Sequence, residues 1–160
     1  MSREDAPLFE SEYGEYTLVE HVDGMTISSD RSILGTVGIV LFWSIEDPFT
    51  VGLDFRDSDR NLVRRQIARE LLHNGFSEKV GQDGDVGIEP ISDVHLYTED
   101  MLELEFRERP GEKSSRQTTG YVRFPIMQAA RLVNESYDLI DDSTASERAT
   151  EELETVNWEE

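Results

Sequence analysis

Apolar and polar residues alternate with a period of two along most of this chain, and twice the pattern changes to a helical one. Tyr16–Val22 (YTLVEHV) has strand composition, and after the polar stretch Asp23–Ser32 the run Leu34–Trp43 (LGTVGIVLFW) is rich in β-branched residues. Such a run predicts a buried central strand. Asp47-Pro48 reads as a turn, because proline fixes φ and drives the preceding residue out of the helical region. Phe49, Val51, Leu53 and Phe55 then alternate with Thr50, Gly52 and Asp54, which predicts a strand with one buried face. Arg56–Asn61 is a polar turn. The next stretch, LVRRQIARELLHNG, carries both periods: Val63, Ile67 and Leu71 make a helical stripe, while Val63, Arg65 and Ile67 alternate as a strand would. Only Ile67–Asn74 is read as helix without competition, with Asn74-Gly75 as its stop.

The second half repeats the order. Asp83-Gly84 is a turn before a strand at Val86–Pro90, and Val94–Tyr97 with Leu102–Phe106 predicts a hairpin. A polar loop, Arg107–Gln117, leads to a strand at Gly120–Phe124. Pro125 takes the first helical position, where its missing N–H is not needed, and Ile126, Ala130, Val133 and Tyr137 share one face of the helix that follows. Thr144–Leu153 can form a short acidic helix, but no apolar face obliges it to pack. Four strands and a helix, twice, joined by short links, predict an antiparallel α+β fold.

Charge divides the chain into three. The formal net charge is −20, and residues 1–23 hold seven acids and one base while residues 135–160 hold ten acids and one base. The expected organisation is an acidic arm at 1–14, a domain at 15–140 and an acidic tail at 141–160. So acidic a chain repels nucleic acid and anionic membranes at long range, which makes nucleic acid an unlikely partner. There is no cysteine, so disulfides, thiolate metal sites and a cysteine nucleophile are excluded together. The first residues lack the basic region and apolar core of a signal peptide, and Ile33–Ile45 is too short to span a bilayer, so a cytoplasmic protein without membrane insertion is expected.

Candidate chemistry is sparse. No G-x-S-x-G elbow is present, and His21, His73 and His95 lack the spacings that put two imidazoles on one metal. Gly81, Gly84 and Gly87 precede a strand and not a helix, so they cannot cradle a phosphate as a P-loop does. Asp83, Asp85 and Glu89 lack the twelve-residue calcium pattern. No catalytic residue, cofactor or metal is expected. The one concentration of bases is Arg56, Arg60, Arg64, Arg65 and Arg69, either an anion or partner patch or a set of intrachain ion pairs.

Three phrases carry a family resemblance: DPFTVGLDF (47–55), IARELLHNGF (67–76) and GDVGIEP (84–90). In order and spacing they resemble the core of the SsgA-like sporulation and cell-division regulators, and PIMQAARLVNESYDLI resembles that family's closing helix. Arg65, Glu89 and Asp141-Asp142 depart from the family pattern, which marks a divergent member. The resemblance implies a whirly-like fold of two four-stranded antiparallel sheets, each followed by a helix, and places a strand at Leu62–Gln66 turning into a helix near Ile67. It implies a trimer, and a non-enzymatic role in recruiting division proteins, FtsZ or an associated factor, to the septum. Asp47, Pro48, Arg69, Leu71, Leu72, Gly75, Gly84, Asp85 and Pro90 match the family phrases and are expected to be framework, with Arg69 paired to an acid across the fold. The competing expectation is a single-stranded nucleic-acid binder using Arg56, Arg60, Arg64 and Arg65.

Overall fold

The apolar run of the first half becomes the middle of an antiparallel meander: β1 (Leu18–Ile27), β2 (Ile33–Ser44), β3 (Asp47–Arg56) and β4 (Leu62–Ala68). In the computed structural model, residues 13–57, 59–92, 99–108 and 117–158 are described. β4 runs straight into α1 (Arg69–Gly75): the strand period holds for Val63, Arg65 and Ile67, and the helix expected from Ile67 begins only at Arg69. The second half supplies β5 (Val86–Ile91), β6 (Met101–Glu108), β7 (Gln117–Pro125), α2 (Ile126–Leu139) and α3 (Asp142–Trp158). The strand expected at Val94–Tyr97, with His95, lies outside the described residues.

The expected pair of four-stranded sheets is corrected to one seven-stranded sheet of order β4-β3-β2-β1-β7-β6-β5. The cause lies in β1. It does not stop at Asp23-Gly24 but continues through it, and Met25–Ile27 pairs with Tyr121–Arg123 of β7, joining the two halves. Gly24 permits this by having no side chain: a Cβ there would lie 2.4 Å from the Arg123 carbonyl oxygen and 2.6 Å from Ile39 Cδ1. A residue within the stretch read in sequence only as polar is therefore a point of close approach between strands.

The sheet curls strongly. Phe55 of β3 stacks on Phe106 of β6 at 5.9 Å between centroids, although β2, β1 and β7 separate these strands in the sheet. Ile39, Leu41 and Trp43, Val51, Leu53 and Phe55, and Leu102, Leu104 and Phe106 line the concave side in one core with Leu72 of α1 and Leu132 and Val133 of α2. Two-residue alternation predicts this inner face except at Phe49, and not all of the outer one. Phe49 is 40% exposed, whereas Gly52 and Asp54 are buried. A second cluster of Tyr13, Val40 and Phe42 covers the convex side of β2 and β3.

Two local expectations also change. The turn between β2 and β3 falls at Ile45-Glu46, and Asp47 already pairs with Ser44, so Asp47-Pro48 opens the strand. Proline is tolerated at a strand's beginning for want of an N–H to pair. In α2 the buried residues are Ala129, Leu132, Val133 and Ser136, a face rotated from the one expected around Ala130, and Pro125 is the N-cap, one position before the helix.

Candidate partner interface

Where the curled sheet is not plugged by helices it leaves an open end. Ile27, Leu34, Phe55, Val63, Phe106 and Val122 form the apolar part of a cavity there of about 300 Å³, which Asp57, Arg65 and Glu108 also line. Leu34 is 51% exposed, so this end presents hydrophobic surface that the chain itself does not cover. Arg65, Phe106 and Glu108 also line a second, polar concavity with Arg64, Gln66, Asp85, Val86 and Arg107, about 530 Å³ in volume, between β4 and the β5–β6 pair. The two adjoin, making a groove with an apolar floor at one end and a charged wall at the other.

The arginines singled out in the sequence do not converge. Arg64 points to the convex side, where its Nε and Nη2 donate to Asp54 at 2.8 and 2.7 Å. Tyr13 Oη donates to the same buried carboxylate at 2.8 Å, and the guanidinium lies 4.9 Å above the Phe42 ring. The hydrogen bonds to Asp54 hold the Arg64 proton more tightly than usual. Arg65, its neighbour on the opposite face, reaches Glu108 at 3.4 Å and sits 5.3 Å over Phe106. Arg56 donates to the Arg60 carbonyl at 3.1 Å within the β3–β4 turn, where Arg60 has φ 66°.

Arg69 does something else. Fully buried, it donates from Nη1 to the Ser136 carbonyl (3.1 Å), Ser136 Oγ (3.3 Å) and the Ile140 carbonyl (2.9 Å), and from Nη2 to Asp142 (3.0 Å). Its guanidinium also lies 3.9 Å from the Tyr137 ring. One side chain at the start of α1 thus binds the last carbonyls of α2 and the first residue of α3, the favourable placement for a cation at a helix C-terminus. Asp141 caps α3 by accepting the Thr144 N–H at 2.7 Å, a bond that holds its carboxyl below the usual range. Ala145 follows into the core at 1% exposure, so α3 packs despite its acidic composition.

The remaining matched residues hold the frame. Asp47 is exposed at the start of β3, and Pro48 is buried with its carbonyl accepting the Trp43 indole N–H at 3.0 Å. Leu72 is fully buried and Leu71 packs beside the core. Gly75 is no left-handed helix stop: it is buried in α1, where a Cβ would lie 2.3 Å from Ile88 Cγ2. Pro90 stands opposite Leu102 in the edge strand β5. The Gly84 carbonyl accepts from Arg107 Nη1 at 3.1 Å and the Asp85 carbonyl accepts from the Arg107 backbone N–H at 2.8 Å, so Arg107 clamps the turn before β5.

Sequence patterns did not expose that clamp, nor the buried Glu103, which receives Arg31 at 2.9 Å and Arg123 across the sheet. Residues distant in the chain form both. Among the described residues no cluster of three or more His, Cys, Asp or Glu side chains is placed to hold a metal, and no helix is long and apolar enough to cross a membrane. His73 meets the Tyr137 ring edge-on at 5.3 Å, and His21 is exposed on β1.

Comparison with known proteins adds a lineage. The family profile described as "Streptomyces sporulation and cell division protein, SsgA" matches residues 37–141. The fold is similar to an SsgA-like sporulation-specific cell division protein from Thermobifida fusca, with a TM-score of 0.68 and 22% identity over 89% of this chain and 96% of that one. It is also similar to SsgB of Streptomyces coelicolor, mutations in which correlate with longitudinal cell division during sporulation. There the TM-score is 0.61 and the identity 17%, over 79% of this chain and 93% of that one. No curated protein sequence matches the chain.

Proposed function

Because the chain belongs to the SsgA family of sporulation and cell division proteins, we propose that it is a non-enzymatic regulator that recruits a division-machinery protein through the open end of its curled sheet. The observation that carries this reading is the uncovered, partly apolar cavity beside a charged wall, with Leu34 about half exposed on its rim. An apolar floor with a polar rim is the anatomy of a protein-binding surface. Arg64 and Arg65, the central bases of the alternative nucleic-acid reading, are engaged by Asp54 and Glu108, which favours protein over single strands. In this reading the partner is FtsZ or a factor bound to it, the protein assembles as a trimer, and it is drawn from the cytoplasm to the septum. The working domain is residues 15–140 together with Tyr13 and α3, whose Asp142 and Ala145 pack against Arg69 and the core.

The test uses purified actinobacterial FtsZ, alone and with the proteins that co-purify with it, and the full chain carrying Leu34→Glu. A charge at the cavity rim is expected to weaken capture at least about tenfold, equivalent to ~1.4 kcal/mol, and to disperse a fluorescent fusion from septa. Equal capture by parent and variant would remove the cavity from the argument. Capture of neither FtsZ nor a co-purifying protein by the parent would remove the recruitment role.

A further inference from the structure

Two separate clusters cover the two faces of β2 and β3. Val51, Leu53 and Phe55 belong to the concave core, whereas Tyr13, Val40 and Phe42, with Tyr16 and Val19 beside them, form a convex cluster that shares no buried residue with it. The convex cover is a short segment, residues 13–17, ahead of β1, whose pairing with β2 starts at Leu18. Side chains seat it. Tyr13 Oη donates to Asp54 at 2.8 Å, the Tyr13 ring lies 5.3 Å from that of Phe42, and the Tyr16 ring lies 4.5 Å from it. Phe42 makes a flat platform for both, because its ring lies over Gly52 where a Cβ would otherwise stand.

We propose that this face is a second docking site, held shut by the chain's own strap at 13–17, and that its external occupant is a tyrosine-bearing segment carrying bases where the strap carries acids. Opening strands no charge. Arg64 holds Asp54 through Nε and Nη2 at 2.8 and 2.7 Å, a pair that does not need the phenol, and Arg64 is itself about half exposed. A carboxylate that keeps its guanidinium avoids the large cost of an unpaired buried charge. Opening also leaves the concave core whole, since the two clusters are separate, and such a segment unfolds locally at less than the cost of the domain. The seated strap shows what the face accepts: a phenol on the carboxylate and, three residues on, a second ring on Phe42. Its charge is wrong for the place. Residues 1–15 hold five acids and one base in a chain of net charge −20, so the field of the protein works against the strap. A segment with the same two tyrosines and basic neighbours keeps the contacts and turns repulsion into attraction. The face lies across the sheet from the open-end cavity, so this site does not depend on the recruitment reading.

The test compares the full parent chain with the full chain carrying Tyr13→Ala and Tyr16→Ala. The probe is the fluorescently labelled peptide Ser-Lys-Tyr-Gly-Lys-Tyr-Thr, which is residues 11–17 with both glutamates made lysine, read by anisotropy. The double variant, its face uncovered, is expected to bind this peptide at least about tenfold more tightly than the parent does. It should also prefer it at least about tenfold over the same peptide with phenylalanine for both tyrosines, which has equal charge and no phenol. Hydrogen exchange in the variant should quicken at 13–19 and stay unchanged in β6 and β7. Equal binding by parent and variant, or none by either, would overturn the proposal. So would equal binding of the tyrosine and phenylalanine peptides, since charge alone would then hold them. Loss of protection throughout the sheet would overturn it too, because the segment would then be part of the fold and not a strap.

Discussion

Replacing Arg69 by methionine removes one guanidinium and keeps nearly the same length. The arginine is fully buried and makes four hydrogen bonds, three of them to Ser136 and Ile140 and one to Asp142. The Ser136 carbonyl keeps the Ile140 N–H at 3.0 Å, but the Ile140 carbonyl loses its charged donor. A hydrogen bond to a charged group contributes about 1.5–3 kcal/mol, and an acceptor left buried without its donor costs ~1–3 kcal/mol. The stacked Tyr137 adds up to about 2 kcal/mol for a desolvated cation–π contact. Methionine returns part of this through its own burial, so the net loss should be ~3–5 kcal/mol. In a domain of this size that lowers the thermal midpoint by on the order of 10 °C and the urea midpoint by about 2 M. Asp142 is half exposed, and Asp142→Asn keeps an acceptor in place, so its cost should be ~1 kcal/mol or less. Urea denaturation followed by circular dichroism measures both. If Asp142→Asn costs as much as Arg69→Met, charge pairing and not capture of the α2 carbonyls holds α1, α2 and α3 together. If Arg69→Met is neutral, the reasoning fails altogether.

Two further perturbations have a defined sign. Helix propensity alone predicts that Gly75→Ala stabilises α1 by about 1 kcal/mol, whereas the 2.3 Å approach of a Cβ to Ile88 predicts a loss of ~1–3 kcal/mol through overpacking; the urea midpoint distinguishes them. Burial alone would raise the Glu105 carboxyl, but the Thr118 hydroxyl and Arg107 guanidinium outweigh it and hold it below its ordinary value of 4.5. A lowered carboxyl contributes stability that is complete above the ordinary value and is lost as pH falls through the folded one. Stability measured at a series of pH values from about 6 to 3 should therefore fall less steeply for Glu105→Gln than for the parent, and equal slopes would refute the assignment.

The sequence determined the inner face of the sheet, because a strand with one buried side must repeat every second residue: Val51, Leu53 and Phe55 read correctly, as did Ile39, Leu41 and Trp43. Periodicity alone left strand and helix open over 62–75, and the three short phrases, which pointed to the family, placed the strand before the helix. Tertiary structure decided what local pattern cannot encode. Gly24 and Gly75 resemble turn and stop signals in any window of sequence, and only the position of Arg123 and Ile88 shows that each makes room for another element. That choice at Gly24 merges two expected sheets into one. Asp54 looks like a solvent-facing residue until Tyr13 and Arg64 fold over it, and acidic α3 looks unpacked until Arg69 and the core receive Asp142 and Ala145. The apolar open end is likewise assembled from β1, β2, β3, β4, β6 and β7, because a concave surface depends on how a sheet curls, and curl is a property of all its strands together.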